Sequence, residues 1–175
     1  MKKNILLILS LFLVVNCFAQ ASKKEKKKDK ATTSTYYLIR HAEKDRSDKS
    51  NKDPELTKQG NNRAAYWAEV FKNVKFDAVY STEYNRTIQT AQPTATANKL
   101  EITSYHPFKI KMSDFLKRTK GKTVLVVGHS NTTPTFANRL LRKEMFEDIE
   151  DDNNGNLYIV TITGDVRTVQ LLTIN

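Results

Sequence analysis

At 175 residues the chain has room for one domain with a real core, and its single cysteine, Cys17, excludes a fold stapled by internal disulfides. The formal net charge of +10 first suggests nucleic acid or an anionic membrane, but residues 1–30 hold eight lysines against Glu25 and Asp29 and carry +6 of it. The remaining +4 is ordinary for a domain that binds anionic substrates, so no nucleic-acid partner is expected.

Lys2 and Lys3 precede an apolar run from Ile5 to Val15 that ends near Cys17-Phe18-Ala19. A basic start, a short apolar stretch and a small-residue exit describe a secretory signal peptide, and the run falls short of the roughly 20 residues a membrane-spanning helix needs. Residues 1–19 are therefore assigned as a signal peptide, with Gln20 at the mature N-terminus and a secreted or periplasmic location. No stable membrane insertion is expected after cleavage. Lipid attachment through Cys17 is the less favoured alternative, because Asn16 before it suits that processing poorly. The tract from Lys23 to Lys30 holds no apolar residue and reads as a solvated, disordered linker over residues 20–33. Residues 34–175 form the folded domain.

Within that domain Thr35 to Arg40 is the first strand, followed by a polar loop from Arg46 to Pro54. Thr57 caps a predicted helix reaching about Lys72, with Ala64, Trp67, Ala68 and Phe71 on one face, and Trp67 is assigned to the core. Asp77 to Ser81 is the second strand. Asn85 to Asn98 is a helix that turns Ala91, Ala95 and Ala97 toward the sheet, with Pro93 expected to kink or restart it. Glu101 to Tyr105 is a short third strand ending at His106-Pro107. Lys111 to Lys120 is helical, with Met112, Phe115 and Leu116 as its stripe and Gly121 closing it. Lys122 to Val127 is the most apolar strand and is placed centrally. Thr133 caps the next helix, Pro134 sits in its first turn, and Phe136, Leu140 and Leu141 face inward. Glu144 to Asn156 is acidic and turn-rich. Leu157 to Thr163 and Val166 to Ile174 flank Gly164-Asp165, a hairpin signal. Alternating strands and helices before a terminal hairpin predict an α/β fold, a three-layer α/β/α sandwich with a mainly parallel central sheet.

Three of these strands deliver chemistry at their ends. Tyr36-Tyr37-Leu38-Ile39 runs into Arg40 and His41, Val124-Leu125-Val126-Val127-Gly128 into His129, and Ala78-Val79-Tyr80-Ser81-Thr82 into Arg86 a few residues on. Ligands gather beyond the carboxyl ends of strands in a parallel sheet, so two histidines and two arginines converging there make an anion site containing a nucleophile, best suited to phosphate. His106, which precedes proline without such company, is assigned a structural role. Three widely spaced histidines and no thiolate cluster fit none of the usual metal patterns, and there is no P-loop glycine run. Neither metal nor cofactor is expected.

RHAEK at 40–44, YSTEYNRTIQTA at 80–91 and VLVVGHSNT at 124–132, with DPELTKQG at 53–60 in minor agreement, resemble the histidine phosphatase superfamily, the phosphoglycerate-mutase-like fold. They cover nearly the whole chain after residue 34. Superfamily members usually have glycine after the first histidine, where this chain has Ala42. The resemblance implies that His41 becomes transiently phosphorylated, that His129 sets a second imidazole against the phosphoryl oxygens, and that Arg40 and Arg86 bind phosphate. It also implies an acidic proton donor; Glu83 is the first choice, three residues before Arg86, ahead of Glu43 and Asp114.

The expectation is a secreted, metal-independent phosphatase acting on phosphorylated small molecules or phosphoproteins, in a short form with little spare chain for a capping insertion. A mutase is the weaker alternative, since it must enclose and re-orient its intermediate. A phosphate- or phospholigand-binding module with little turnover belongs to a different class, which turnover of an activated aryl phosphate would separate.

Overall fold

The computed structural model describes residues 31–174; the assigned signal peptide and lysine tract lie outside the described residues. The elements run β1 (Thr33–Arg40), α1 (Lys58–Val70), β2 (Ala78–Ser81), α2 (Asn85–Ala97), β3 (Ile102–Ser104), α3 (Met112–Arg118), β4 (Thr123–Gly128), α4 (Thr132–Leu141), β5 (Asn156–Thr163) and β6 (Val166–Thr173). One six-stranded sheet has the order β3-β2-β4-β1-β5-β6. Its first four members are parallel, and β5 and β6 add antiparallel at the β1 side. β4 lies between β2 and β1, as its unbroken apolar run requires, because a strand covered on both faces has no polar face to alternate with.

Successive residues of β1 and β4 enter opposite layers. Tyr36, Leu38, Val124 and Val126 pack with Phe115 of α3 and Phe136 and Leu140 of α4. Ile39, Leu125 and Val127 pack with Trp67 of α1 and Ala91 and Ala95 of α2. This is the predicted three-layer sandwich. Trp67 is fully buried, stacked on Phe71 with ring centroids 5.4 Å apart. Among the described residues no helix is long and apolar enough to cross a membrane.

Thr57 does cap α1, its hydroxyl accepting from Gly60 N at 3.0 Å. Three local expectations need correction. α2 runs through Pro93 without restarting, and Ala97 is exposed rather than turned to the sheet, because the buried stripe is Thr87, Thr90, Ala91, Thr94 and Ala95. At α4 the N-cap position falls on Asn131, whose side chain makes no capping bond, and Thr133 lies inside the helix. Thr132 Oγ1 instead accepts from His129 N at 2.9 Å, so the start of α4 holds the histidine's backbone.

Candidate active site

The strand register assembles the site. Ile39 aligns with Val127, Val127 with Ser81, and Ser81 with Ser104. Two residues beyond each aligned position stand His41, His129, Glu83 and His106, one at the end of each parallel strand. All four line a single cleft of about 680 Å³, together with Arg40, Lys44, Tyr84, Arg86 and Phe108. His106 therefore belongs to the wall of the cleft and not to the scaffold, and counting outward from the aligned strands is the signal that finds it.

His41 is almost fully buried, and its ring centroid lies 5.5 Å from that of His129. Its backbone N–H donates to Gly128 O at 2.9 Å, and its carbonyl accepts from Asn154 Nδ2 at 2.7 Å. Nδ1 lies 2.7 Å from the carbonyl of Ala42. A carbonyl can only accept, so Nδ1 carries the proton and Nε2 keeps its lone pair. Burial lowers the His41 pKa to about 3; the Ala42 hydrogen bond opposes this, while His129, Arg40 and Arg86 add to it. The ring is a neutral nucleophile at ordinary pH.

His129 is held in the same way. Thr87 Oγ1 donates to the backbone carbonyls of Thr82 and Tyr84 at 2.9 and 2.8 Å, so it receives from Thr82 Oγ1 at 3.0 Å. That leaves Thr82 Oγ1 to accept from His129 Nε2 at 2.9 Å. Burial lowers the His129 pKa to about 4, with Arg86, Lys44 and Arg40 contributing.

Arg40 departs from the simple picture of a fork open to a ligand. Its side chain is 2% exposed, and Nη1 donates to the carbonyls of Glu150, Asp151 and Asn153 at 2.7, 3.1 and 3.0 Å. Nη2 reaches Asp151 Oδ1 at 3.0 Å. Both Nη atoms thus fasten the acidic turn, which in turn delivers Asn154 to His41. Only Nε is left, and it has no acceptor among the described residues; Nε and Nη1 of Arg86 are likewise without one. Arg86 lies 4.3 Å over the ring of Tyr84, with Asp53 Oδ1 3.6 Å from its Nη1. Burial pulls the pKa of Arg86 down, and burial followed by Arg86 pulls that of Lys44 down. Cations so depressed, beside buried donors without acceptors, describe a hole shaped for an anion.

Local packing explains the rest of the motif. The methyl of Ala42, where relatives usually carry glycine, is buried with Leu56 and Ala64. Ala42 N donates to Thr90 Oγ1 at 2.9 Å, tying the loop after His41 to α2. A Cβ on Gly60 would overlap the Glu43 carbonyl, and one on Gly128 would come within 3.0 Å of Thr132 and Thr133 hydroxyls, so both sites of close approach need glycine. Asp53 Oδ1 accepts from Asn85 N at 2.9 Å and supplies α2 with the cap that its own sequence lacks.

Of the three acids weighed, Glu83 alone lines the cleft. Glu43 turns away to Arg63 Nε at 2.7 Å, and Asp114 lies in α3. Asp151, which the sequence reading did not single out, borders the cleft between Arg46 and Arg40, whose hydrogen bonds hold its carboxyl below the usual range. Among the described residues no three His, Cys, Asp or Glu side chains gather as a metal site.

Residues 36–109 match the sequence profile of the histidine phosphatase superfamily (branch 1). The match takes in Arg40, His41, Glu83 and Arg86. Over residues 36–109 the chain is similar to the histidine phosphatase superfamily. Solved structures of the same fold include a phosphoglycerate mutase from Bacillus anthracis, with a TM-score of 0.64 at 15% identity over 82% of this chain and 94% of that one. A phosphoserine phosphatase from Entamoeba histolytica, in complex with 3-phosphoglyceric acid, gives 0.61 at 20% identity over 81% and 97%. A mycobacterial glucosyl-3-phosphoglycerate phosphatase gives 0.57 at 11% over 82% and 99%. At such identities the likeness is one of fold. No curated protein matches the chain in sequence. The profile match and the shared fold support phosphatase or mutase chemistry.

Proposed function

We propose that this protein is a phosphatase that hydrolyses phosphomonoesters through a phosphohistidine on His41. One observation carries the reading: a neutral imidazole with its Nε2 lone pair free lines the same cleft as Arg40 and Arg86, three of whose buried guanidinium nitrogens have no acceptor among the described residues.

In the first half-reaction Nε2 attacks phosphorus and the ester P–O bond breaks. The departing alkoxide takes a proton from the Glu83 carboxylic acid. Nδ1–H stays on the Ala42 carbonyl, which steadies the charge that the ring acquires. The phosphoryl oxygens take up the Arg40 and Arg86 donors; stabilising that charge is most of the catalysis such a loose transition state needs. In the second half-reaction water attacks phosphorus, gives its proton to Glu83, and the P–N bond breaks to release inorganic phosphate. An exposed mouth, at which Phe108 is 72% exposed, favours water as the acceptor over the enclosure that a mutase requires. No metal or cofactor has a part in these steps.

The test is to quench the enzyme during turnover without acid and look for alkali-stable, acid-labile phosphate on His41. Label on serine, or none with an unchanged rate in His41→Ala, overturns the reading. Secretion is the second part of the proposal and is supported by the sequence of residues 1–19. Full-length protein made in a Gram-negative host should be exported and begin at or near Gln20. Lipid on Cys17, or an intact Met1 on cytosolic protein, would count against it.

A further inference from the structure

The cleft is much larger than a phosphate needs. Pockets of roughly 300–1,000 Å³ hold whole drug-sized ligands, and at about 680 Å³ this one leaves most of its space to whatever carries the phosphate. Two of the large exposed apolar side chains stand at its edge, Tyr84 at 41% and Phe108 at 72% exposure.

Neither is placed loosely. Tyr84 has its ring under the Arg86 guanidinium at 4.3 Å and edge-on to His129 at 5.0 Å, so it is held against the phosphate hole itself. Phe108 sits on a tight turn that lines the cleft. Its N–H donates to His106 Nδ1 at 3.3 Å, and the His106 carbonyl accepts from Lys109 and Ile110 N–H at 3.1 and 3.0 Å. Arg139 of α4 then clamps the turn, Nη1 donating to Pro107 O at 3.0 Å and Nη2 to Ile110 O at 2.7 Å. An arginine committed to ordering a five-residue turn whose most prominent product is a phenyl ring in water is a positioning device. A ring fixed in advance costs little further ordering when a flat partner stacks on it.

We propose that Phe108, His106 and Tyr84 form a ring-binding subsite beside the phosphate hole, so that the preferred substrates are small phosphomonoesters whose alcohol carries a flat aromatic ring, a nucleoside among them. Ser130 and Asn131, on the α4 side of the cleft, offer polar atoms to the edges of such a ring. The proposal rests on the phosphatase reading for its catalytic readout, but the binding it describes does not.

The experiment compares a nucleoside 5′-monophosphate with glycerol 3-phosphate on the full chain. Both release a primary alkoxide, so leaving-group chemistry is constant; the nucleotide adds a ribose and a ring, and the Phe108 variants separate the ring's share. The nucleotide should have the higher kcat/KM, and Phe108→Ala should lower that value about tenfold, mainly through KM, while glycerol 3-phosphate hydrolysis stays unchanged. Phe108→Tyr should retain the preference. Equal kcat/KM for the two compounds, or equal loss on both in Phe108→Ala, overturns the subsite and leaves the phosphatase reading standing. If neither compound is hydrolysed, calorimetric titration of both reads the subsite directly. Tighter nucleotide binding that Phe108→Ala removes supports it, and equal binding overturns it.

Discussion

The floor of the cleft and its rim come from different parts of the fold. Arg40, His41 and His129 stand at the ends of β1 and β4, two neighbouring strands in the middle of the sheet with helices on both faces. Glu83, Tyr84, the turn at residues 106–110 and Asp151 belong to loops. The floor is located first by strand register, and Thr132 and Asn154 then pin the backbones of His129 and His41. The rim is held by reaching side chains: Arg139 bonded to residues 107 and 110, Arg40 to residues 150–153. The difference implies a division of labour. A change in the floor should damage every substrate alike, while a change in the rim should damage substrates selectively.

The largest test of that division is His41→Ala, which should abolish turnover of all phosphomonoesters, by about 10⁴-fold or more, with the melting temperature near that of the wild type. Selective survival of any ester would break the comparison at its strongest point. Glu83→Gln comes next. A general acid contributes about 10²–10⁴-fold and matters most for poor leaving groups, so an alkyl phosphate should slow by that amount and nitrophenyl phosphate far less. Equal slowing of both substrates would turn Glu83 into a binding residue. Arg86→Ala should cost about 10²–10³-fold on every substrate, with lysine a poor replacement because it lacks the fixed planar donors. A loss confined to one substrate would place Arg86 with the rim.

Smaller effects follow from the buried imidazoles. With the His41 pKa at about 3 and that of His129 at about 4, kcat/KM should show no histidine ionisation between about pH 5 and 8, its acid limb lying near or below 4. The sign for stability is the same. Both folded pKa values lie below the ordinary 6.5, so the unfolded chain takes up protons that the folded site refuses. Stability from these rings is complete above about 6.5 and drains as pH falls through 4 toward 3. Melting curves across that range should flatten when either histidine is replaced by alanine. The smallest expected effect is none: chelators should leave the rate unchanged, and restoration of a lost rate by zinc or magnesium would overturn the mechanism.

Much of this was legible in the chain before folding. Alternating apolar runs and amphipathic helices specify a three-layer sandwich because burial on one or two faces is a local property of sequence. The residues Arg40, His41 and His129 announce themselves as strand-end basic groups, and Arg86 as a basic group a few residues past a strand. Tertiary structure decided what depends on distant partners. It set His106 in the cleft, since only the pairing of β3 with β2 aligns it with Glu83. It gave Glu43 to Arg63, leaving Glu83 as the one of the three weighed acids that lines the cleft, and it spent two nitrogens of Arg40 on a turn more than 100 residues away. It also fixed the tautomer of each histidine, through a neighbouring carbonyl for His41 and a chain of threonine hydroxyls for His129. A sequence specifies which groups can donate or accept; which one faces which is settled only when strands from opposite ends of the chain lie side by side.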